Sequence, residues 1–461
     1  ASNIESAYQE SGYINATVTP QVTLDREAKT THVTHNVREG ELKYIRQLDI
    51  AGNEVTKDEV IRRELLITPG DRYDGKLVDF SKRRLEGTRY FEGVRLFPLD
   101  VEGDDLFSDL RVDVEEGSVG TFNFGAGFST EDGVSGFTEL NVNNFDITNW
   151  PKFTGGGQQL KLRLNLGSQR DEYSLSFTDP EILGYPLAFG FDAYNESYRV
   201  NGGADYTEDK RGLQIRFGKV LSPYNTVRVN FGYALTDISE LPFFINESVR
   251  RQRGETSTIS TRWQFERSTL DRKVDTSEGA NHLVSLQLAA FGDNEFYRLD
   301  HDSSWYFPLG EERNWVLSLR TREGYVAEWL GSDYVSLQDR MYAGGTTTVR
   351  GYDNRDIGPK EKEFIFFGKD FSVGGNLRWV TNTEMKYKVT DLLRVYGFFD
   401  TGGVWADASD FDFGDIKYSV GVGIGFDVPR MGPIRIDYGW PLNPDGDQGG
   451  GKLHMQTGLR F

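Results

Sequence analysis

The chain has 461 residues and a formal net charge of −19, with 71 acidic and 52 basic residues. This length allows several ordinary domains, or a small domain joined to a large β architecture. The acidic balance, without any basic block, predicts no nucleic-acid partner. The absence of cysteine excludes disulfides and thiolate metal sites, and no apolar run reaches the roughly 18 residues of a transmembrane helix.

Residues 1–40 resemble the second half of an α+β module. Residues 5–18 are typical of the end of a helix, and residues 30–40 predict a final strand. The first strand and first helix of such a module are not recognisable, and the first residues lack the apolar core of a signal peptide. We therefore expect residues 1–40 to be a partial module, and the sequence to be truncated at its N-terminus.

Residues 41–118 predict one complete module with the element order β-α-α-β-β. The first strand is predicted near residues 43–50. Thr56 and Glu59 have the spacing of a capping box, in which each side chain satisfies the other's backbone N–H, so the first helix is expected to begin there. A second helix and two strands complete the module.

After residue 120 the helical pattern disappears, and nearly every segment alternates between apolar and polar residues. Residues 159–167 are the clearest case, with leucines at every second position and Lys161, Arg163 and Asn165 between them. One apolar and one polar face per strand is typical of two structures. These are a soluble β-sandwich and a barrel with lipid outside and water inside.

The number and spacing of the candidate strands favour the membrane barrel. About 16 strands of roughly 10 residues are predicted, the length that a tilted strand needs to cross a bilayer. The long connections at 237–254, 328–372 and 401–415 alternate with tight turns, as on the two sides of an outer-membrane barrel. Aromatic residues near strand ends, such as Trp150, fit an interfacial girdle. Residues 119–461 are therefore predicted to form an all-β transmembrane 16-stranded antiparallel β-barrel.

The motifs, taken in order, resemble those of the BamA-type outer-membrane protein assembly factors, a family built from POTRA modules and a barrel. The β-α-α-β-β unit resembles a POTRA module. Residues 349–352, "VRGY", lie in the predicted loop between barrel strands 11 and 12, where the family carries a Val-Arg-Gly-Phe/Tyr motif. Residues 120–133 and 398–405 resemble the first and thirteenth strands of the family, and residues 458–461 resemble its terminal strand. The chain has fewer modules than these proteins usually have.

The resemblance implies a latch formed by the loop 328–372. A guanidinium can engage two carboxylates at once, and the implied partners of Arg350 are Glu384 and Asp400. Gly351 allows the backbone to turn, and Tyr352 can bury its ring while its hydroxyl stays wet. Without the resemblance, the residues alone favour an ordinary exposed Arg-Gly turn.

The resemblance also indicates a lateral seam where the first and last strands meet, near 121–130 and 452–461. Glycine weakens a strand, and a weak seam could open and template a substrate strand by β-augmentation. The alternative is that the glycines only fill a crowded barrel wall. The candidate seam residues are Gly120, Phe122, Phe124, Gly125, Gly127, Gly458 and Phe461.

The function implied by the resemblance is the folding and insertion of β-barrel proteins into the bacterial outer membrane. POTRA modules in the periplasm would receive unfolded outer-membrane β-barrel proteins from periplasmic chaperones, together with accessory outer-membrane lipoproteins of an assembly complex. The barrel would then pass the substrate into the lipid bilayer at the seam. No enzyme activity and no cofactor are predicted.

The sequence carries no recognisable chemistry for a metal or a nucleotide. The five histidines are not spaced as metal ligands, and no glycine cluster precedes a Lys-Ser/Thr pair. Two other functions stay open. One is a two-partner secretion transporter of the same superfamily, which exports a protein through the barrel lumen. The other is a diffusion porin, which the POTRA module disfavours.

Overall fold

The computed structural model divides the chain into two compact units. One unit comprises Ala1–Thr121 and Asn141–Leu160, and the other comprises Phe122–Leu140 and Lys161–Phe461. The structure describes residues 2–25, 28–200, 206–240, 250–272, 275–310, 314–362, 370–428, 432–445 and 449–457.

The described residues of 2–40 form one helix and two antiparallel strands, as expected for the second half of a module. The elements are α1 (Ser2–Glu10), β1 (Thr17–Asp25) and β2 (Thr30–Arg38). The two strands form an antiparallel ribbon that starts with the pair Thr17 and Arg38.

The next segment forms the predicted β-α-α-β-β module. Its elements are β3 (Tyr44–Ala51), α2 (Asp58–Arg62), α3 (Gly75–Thr88), β4 (Phe91–Val101) and β5 (Asp104–Glu116). The strand order is β3-β5-β4, with β5 parallel to β3 and antiparallel to β4. The side chain of Asp74 caps α3, because it accepts hydrogen bonds from the backbone N–H groups of Lys76 and Leu77 at 2.9 and 3.2 Å.

The predicted capping box at the start of α2 is wrong. The helix begins at Asp58, one residue before Glu59, and its N-cap is Lys57, which makes no side-chain capping bond. The backbone N–H of Thr56 instead donates to the carboxylate of Glu116 at the end of β5. This long-range partner takes the place of the local one, so the turn before α2 is held by the sheet.

The module has one hydrophobic core between the helices and the sheet. Ile45 of β3, Ile61 of α2, Leu85 of α3 and Leu110 of β5 are all fully buried in it. Their helical and alternating spacing in the sequence directs them to one side of each element, which explains why these short segments fold together.

Among the described residues that follow, the regular elements are strands and a few short helical turns. Two short strands, β17 (Lys360–Lys362) and β18 (Asp370–Ser372), pair antiparallel within the loop that follows residue 328. The barrel strands are β6 (Gly120–Ser129), β7 (Gly133–Phe145), β8 (Gln158–Gly167), β9 (Arg170–Asp179), β10 (Ala188–Val200), β11 (Tyr206–Ser222), β12 (Asn225–Ser239), β13 (Gly254–Ser268), β14 (Gly279–Ala289), β15 (Phe296–Leu309), β16 (Trp315–Glu328), β19 (Leu377–Lys388), β20 (Leu393–Trp405), β21 (Lys417–Val428), β22 (Gly432–Pro441) and β23 (Lys452–Thr457).

These strands close into a barrel in sequence order, with β23 beside β6. The predicted 16-stranded antiparallel barrel is thereby confirmed. Leu162, Leu164 and Leu166 on β8 are exposed on one face, as the alternating pattern requires for a wall that meets lipid. No helix in the described part of the chain is long and apolar enough to span a bilayer.

Strand pairing extends beyond the predicted ends at several places. The segment 401–415 was expected to be a loop, but β20 continues to Trp405 because its last residues pair with the start of β19. The loop predicted at 328–372 runs from the end of β16 to the start of β19.

We expect Leu85→Ala to destabilise the complete POTRA-like module locally. Leu85 is fully buried, and replacing a buried leucine by alanine costs about 2–5 kcal/mol. Hydrogen exchange of the β5 amides, measured by mass spectrometry on the detergent-solubilised chain, should accelerate accordingly. The matched control is Lys82→Ala on the same helix, whose ion pair with Glu86 is exposed and contributes little. Equal exchange in both variants would contradict the assigned core.

Candidate functional site

The loop between β16 and β19 folds against the barrel wall. Its residues Val349 and Tyr352 lie in a buried apolar cluster with Val404 of β20. At Gly351 the φ angle is +91°, and a β-carbon there would lie 3.1 Å from the backbone of Gly439 on β22. Only glycine combines this backbone conformation with so close an approach to the wall.

Arg350 forms the centre of the site, and its side chain is 3% exposed. Its Nε and Nη2 atoms donate to the two carboxylate oxygens of Asp400 at 2.6 and 2.7 Å. Its Nη1 atom donates to Oε1 of Glu384 on β19 at 2.6 Å and to Oδ2 of Asp437 on β22 at 3.3 Å. The structure thus brings together the three residues that the resemblance pairs, and it adds Asp437 as a third carboxylate.

A second arginine compensates the acidic side of this cluster. Arg435 on β22 donates to Oε1 of Glu384 and to Oδ2 of Asp437, the latter at 2.8 Å. The hydroxyl of Tyr396 donates to the other oxygen of Asp437. Three carboxylates therefore meet two guanidinium groups, and a phenol hydroxyl stabilises part of the remaining negative charge.

Neutral side chains complete the surroundings of the Arg350 guanidinium. The amide of Asn382 donates to Oδ1 of Asp400 at 2.7 Å. The ring centroid of Phe398 lies 3.5 Å from Cζ of Arg350, a cation–π contact in a desolvated place. A buried charge is tolerated when it is paired and hydrogen-bonded, and each of these groups helps to meet that condition.

Tyr352 follows Arg350 and Gly351 in the loop and is 2% exposed. Its hydroxyl lies 3.2 Å from both the backbone oxygen of Tyr418 and Oδ1 of Asn443, so it can donate to either. Burial raises the pKa of Tyr352 to about 12, so the hydroxyl keeps its proton at physiological pH. The ring was expected to be buried with a wet hydroxyl, but the hydroxyl bonds to protein groups instead.

A second arginine of the loop, Arg355, contacts a different part of the wall. Its guanidinium carbon lies 5.5 Å from the ring centroid of Tyr198 on β10 and 4.4 Å from that of Tyr342. Its Nη1 atom also lies 3.4 Å from the hydroxyl of Tyr206 on β11. The loop is therefore held at two places, by carboxylates at Arg350 and by aromatic rings at Arg355.

The predicted seam residues lie partly within the described chain. Gly120, Phe122, Phe124, Gly125 and Gly127 are all on β6, whereas Gly458 and Phe461 lie outside the described residues. The side chains of Phe122 and Phe124 are 63% and 79% exposed. The last and first strands meet where Gln456 pairs with Ser129.

Sequence reasoning missed Asp437, Arg435 and Arg355. Arg435 and Asp437 are two residues apart on β22 and therefore lie on the same face. This pattern identifies them as lumen residues but not as partners of the loop. Within the described residues, no group of three or more His, Cys, Asp or Glu side chains could hold a metal ion.

Two family models match the chain. The Omp85 superfamily domain matches residues 152–461, and POTRA, described as a surface antigen variable number repeat, matches residues 1–40 and 43–117. The outer membrane protein assembly factor BamA of Nitratidesulfovibrio vulgaris is 30% identical over 98% of this chain and 56% of its own length. The BamA of Neisseria meningitidis is 24% identical over 99% of this chain and 62% of its own length. The chain thus spans little more than half of these relatives, which are named as assembly factors rather than as enzymes.

Solved structures show the same fold. BamA from Haemophilus ducreyi lacking POTRA domains 1–3 has a TM-score of 0.78 at 22% identity, covering 99% of this chain and 91% of that chain. CdiB from Acinetobacter baumannii has a TM-score of 0.61 at 14% identity, covering 97% and 78%. At these identities the likeness concerns the fold alone.

The predicted family and cellular location are confirmed by these matches. A barrel of this kind lies in the outer membrane, with its POTRA modules in the periplasm. Because the Omp85 superfamily domain model covers about two thirds of the sequence, and because the POTRA model matches most of the residues before it, this chain belongs to the Omp85 superfamily.

Proposed function

We propose that this chain folds and inserts β-barrel proteins into the outer membrane, without catalysing a chemical reaction. The observation that supports this proposal most is the position of the loop in the lumen. The loop is held at Arg350 by the β19–β22 wall and at Arg355 by tyrosines of β10 and β11. A polypeptide in the lumen would have to displace both contacts. A route into the bilayer at the seam between β6 and β23 requires neither to break.

The POTRA modules are the proposed receiving surface for the substrate. In the complete module, β4 lies at one edge of the sheet, and its Phe97 and Leu99 side chains are 37% and 40% exposed. An edge strand offers unpaired N–H and C=O groups to an extended segment, while neighbouring apolar side chains add contact area. The proposed partners are unfolded outer-membrane β-barrel proteins, periplasmic chaperones that deliver them, and accessory lipoproteins.

At the seam, β6 would act as a template for a strand of the substrate. Phe122 and Phe124 are exposed on β6 with their ring centroids 6.3 Å apart, so this strand presents an apolar face to its surroundings. A substrate strand that pairs with β6 would satisfy its backbone before meeting lipid, where unpaired groups are costly. In this proposal the free energy for insertion comes from the substrate's own folding, without a nucleotide.

The proposed role of Arg350, Gly351, Tyr352, Glu384 and Asp400 is a latch that fixes the loop in the lumen. The bidentate pairing of Arg350 with Asp400 defines both position and orientation of the loop, and the glycine contact at Gly351 brings the backbone close enough for it to form. The latch would keep the lumen closed to small solutes while the seam works.

We expect liposomes containing the chain to accelerate the insertion of a urea-unfolded outer-membrane barrel protein. Conversion to a heat-modifiable, protease-resistant form should be faster than with empty liposomes of the same lipids. The control is the chain heat-denatured before reconstitution. If acceleration is absent, with or without candidate lipoproteins, the insertase function is wrong. If a substrate instead enters the liposome interior and becomes protease-protected there, a secretion transporter is the correct function.

We expect Arg350→Ala to destabilise the barrel strongly, because removing one member of a buried ion network leaves the others unpaired, at a cost of about 3–5 kcal/mol. The temperature at which the barrel loses its compact form on a semi-native gel should fall. Arg350→Lys keeps the positive charge but lacks the planar guanidinium that binds both oxygens of Asp400. It should therefore restore only part of the stability lost in Arg350→Ala.

A double variant measures the direct interaction between Arg350 and Asp400 apart from their contacts with other residues. Arg350→Ala combined with Asp400→Ala should cost less than the sum of the two single variants, because the residues interact directly. Arg211→Ala serves as the matched control, since its ion pair with Glu255 is exposed and should matter little. Additive losses, or a control as damaging as Arg350→Ala, would remove the latch from the proposal.

A further inference from the structure

The loop contacts both strands that close the barrel, and Thr346 is the residue that touches both sides. Its backbone N–H donates to Oε1 of Glu131, which lies in the turn between β6 and β7. Its hydroxyl lies 3.3 Å from Nδ1 of His454 on β23. One loop residue therefore links the first barrel hairpin to the last barrel strand.

The backbone at this place is shaped for the contact with Glu131. Gly345 precedes Thr346 and has a φ angle of +95°. A β-carbon on Gly345 would lie 2.4 Å from Oε1 of Glu131, so any other residue would push the carboxylate away. The glycine allows the loop to approach the first-strand side as closely as a hydrogen bond requires.

His454 is held by the loop through both ring nitrogens. Its Nε2 atom accepts a hydrogen bond from the backbone N–H of Gly351 at 2.8 Å. Since an amide N–H can only donate, Nε2 carries no proton, and the neutral ring carries its proton on Nδ1. The Nδ1–H group can then donate to the Thr346 hydroxyl. The imidazole thus bridges two loop residues, and His454 is only 5% exposed.

A third contact strengthens the last-strand side. The ammonium group of Lys452, the first residue of β23, pairs with the carboxylate of Asp353 in the loop. The direct contacts between the two strands lie beside these loop contacts. Gln456 pairs with Ser129, and the backbone N–H of Thr130 donates to the oxygen of Met455 at 3.0 Å.

We propose that Thr346–Asp353 acts as a brace that clamps the seam from inside the barrel, with Glu131 and His454 as its two anchors. Opening of the seam separates the anchors, so it must break at least one loop contact. Conversely, release of the loop removes bonds that hold the two strands together. This inference rests on the proposed role of the seam as the exit for substrates, but the opening of the seam can be measured without any substrate.

The test measures hydrogen exchange of the Thr130 amide, which bonds across the seam, in the chain reconstituted in liposomes. When reclosing is fast, exchange reports the opening equilibrium. Glu131→Met and His454→Phe keep side-chain size but remove the anchors, and each should accelerate this exchange about five-fold, the factor for one hydrogen bond.

Two controls match these variants. Glu131→Gln retains an oxygen that accepts the Thr346 N–H and should leave exchange near the unsubstituted rate. His282→Phe repeats the histidine substitution at a wall position whose ring bonds to Ser303, and it should also leave the seam unchanged. Unchanged exchange in both Glu131→Met and His454→Phe, or equal acceleration in His282→Phe, would overturn the brace.

A second measurement keeps both anchors intact. The chain has no cysteine, so Ser129→Cys with Gln456→Cys can lock the seam by a disulfide between paired positions. Locking should slow exchange of the Thr346 and Gly351 amides, and reduction should restore it. If locking leaves these amides unchanged, the brace is overturned, even if the anchor variants fail to fold. Failure of the insertion assay with unsubstituted protein would reject the insertase function, whereas only the exchange results decide the brace.

Discussion

The buried guanidinium of Arg350 sets the conditions for the rest of the lumen. A charge removed from water must find counter-charges and hydrogen-bond acceptors nearby, and here they come from three separate wall strands, through Glu384, Asp400 and Asp437. Asp400 is itself fully buried, so the wall needs the loop as much as the loop needs the wall. The position of the loop and the charge balance of the β19–β22 wall therefore depend on each other.

The loop combines two kinds of attachment with different physics. Around Arg350 the contacts are ionic and largely shielded from solvent, so added salt screens them little. Around Arg355 the wall contacts are the ring of Tyr198 and the hydroxyl of Tyr206, which constrain geometry less than a bidentate ion pair does. The loop is therefore fixed at two nearby points in its middle, by ion pairs at Arg350 and by tyrosine contacts at Arg355.

Much of the fold could be predicted because lipid outside and water inside impose a period of two on every strand, as the leucines of β8 show. The partners of Arg350 were reached through family resemblance, since many lumen positions carry charge and alternation cannot choose among them. Asp437 was missed for that reason. His454 could not be recognised as a loop contact because its partners, Thr346 and Gly351, are about 100 residues away in sequence. The capping box failed because Glu116, far along the chain, bonds to the same turn.

The order of these residues along the chain has a consequence for how the barrel itself is built. Glu384, Asp400, Asp437 and His454 all follow Arg350, and Glu131 precedes it by more than 200 residues. Arg350 is therefore synthesised before all of the wall carboxylates that pair with its guanidinium. The complete set of contacts cannot form until the last strand has joined the first. A loop that makes all of these contacts therefore indicates that the barrel has closed.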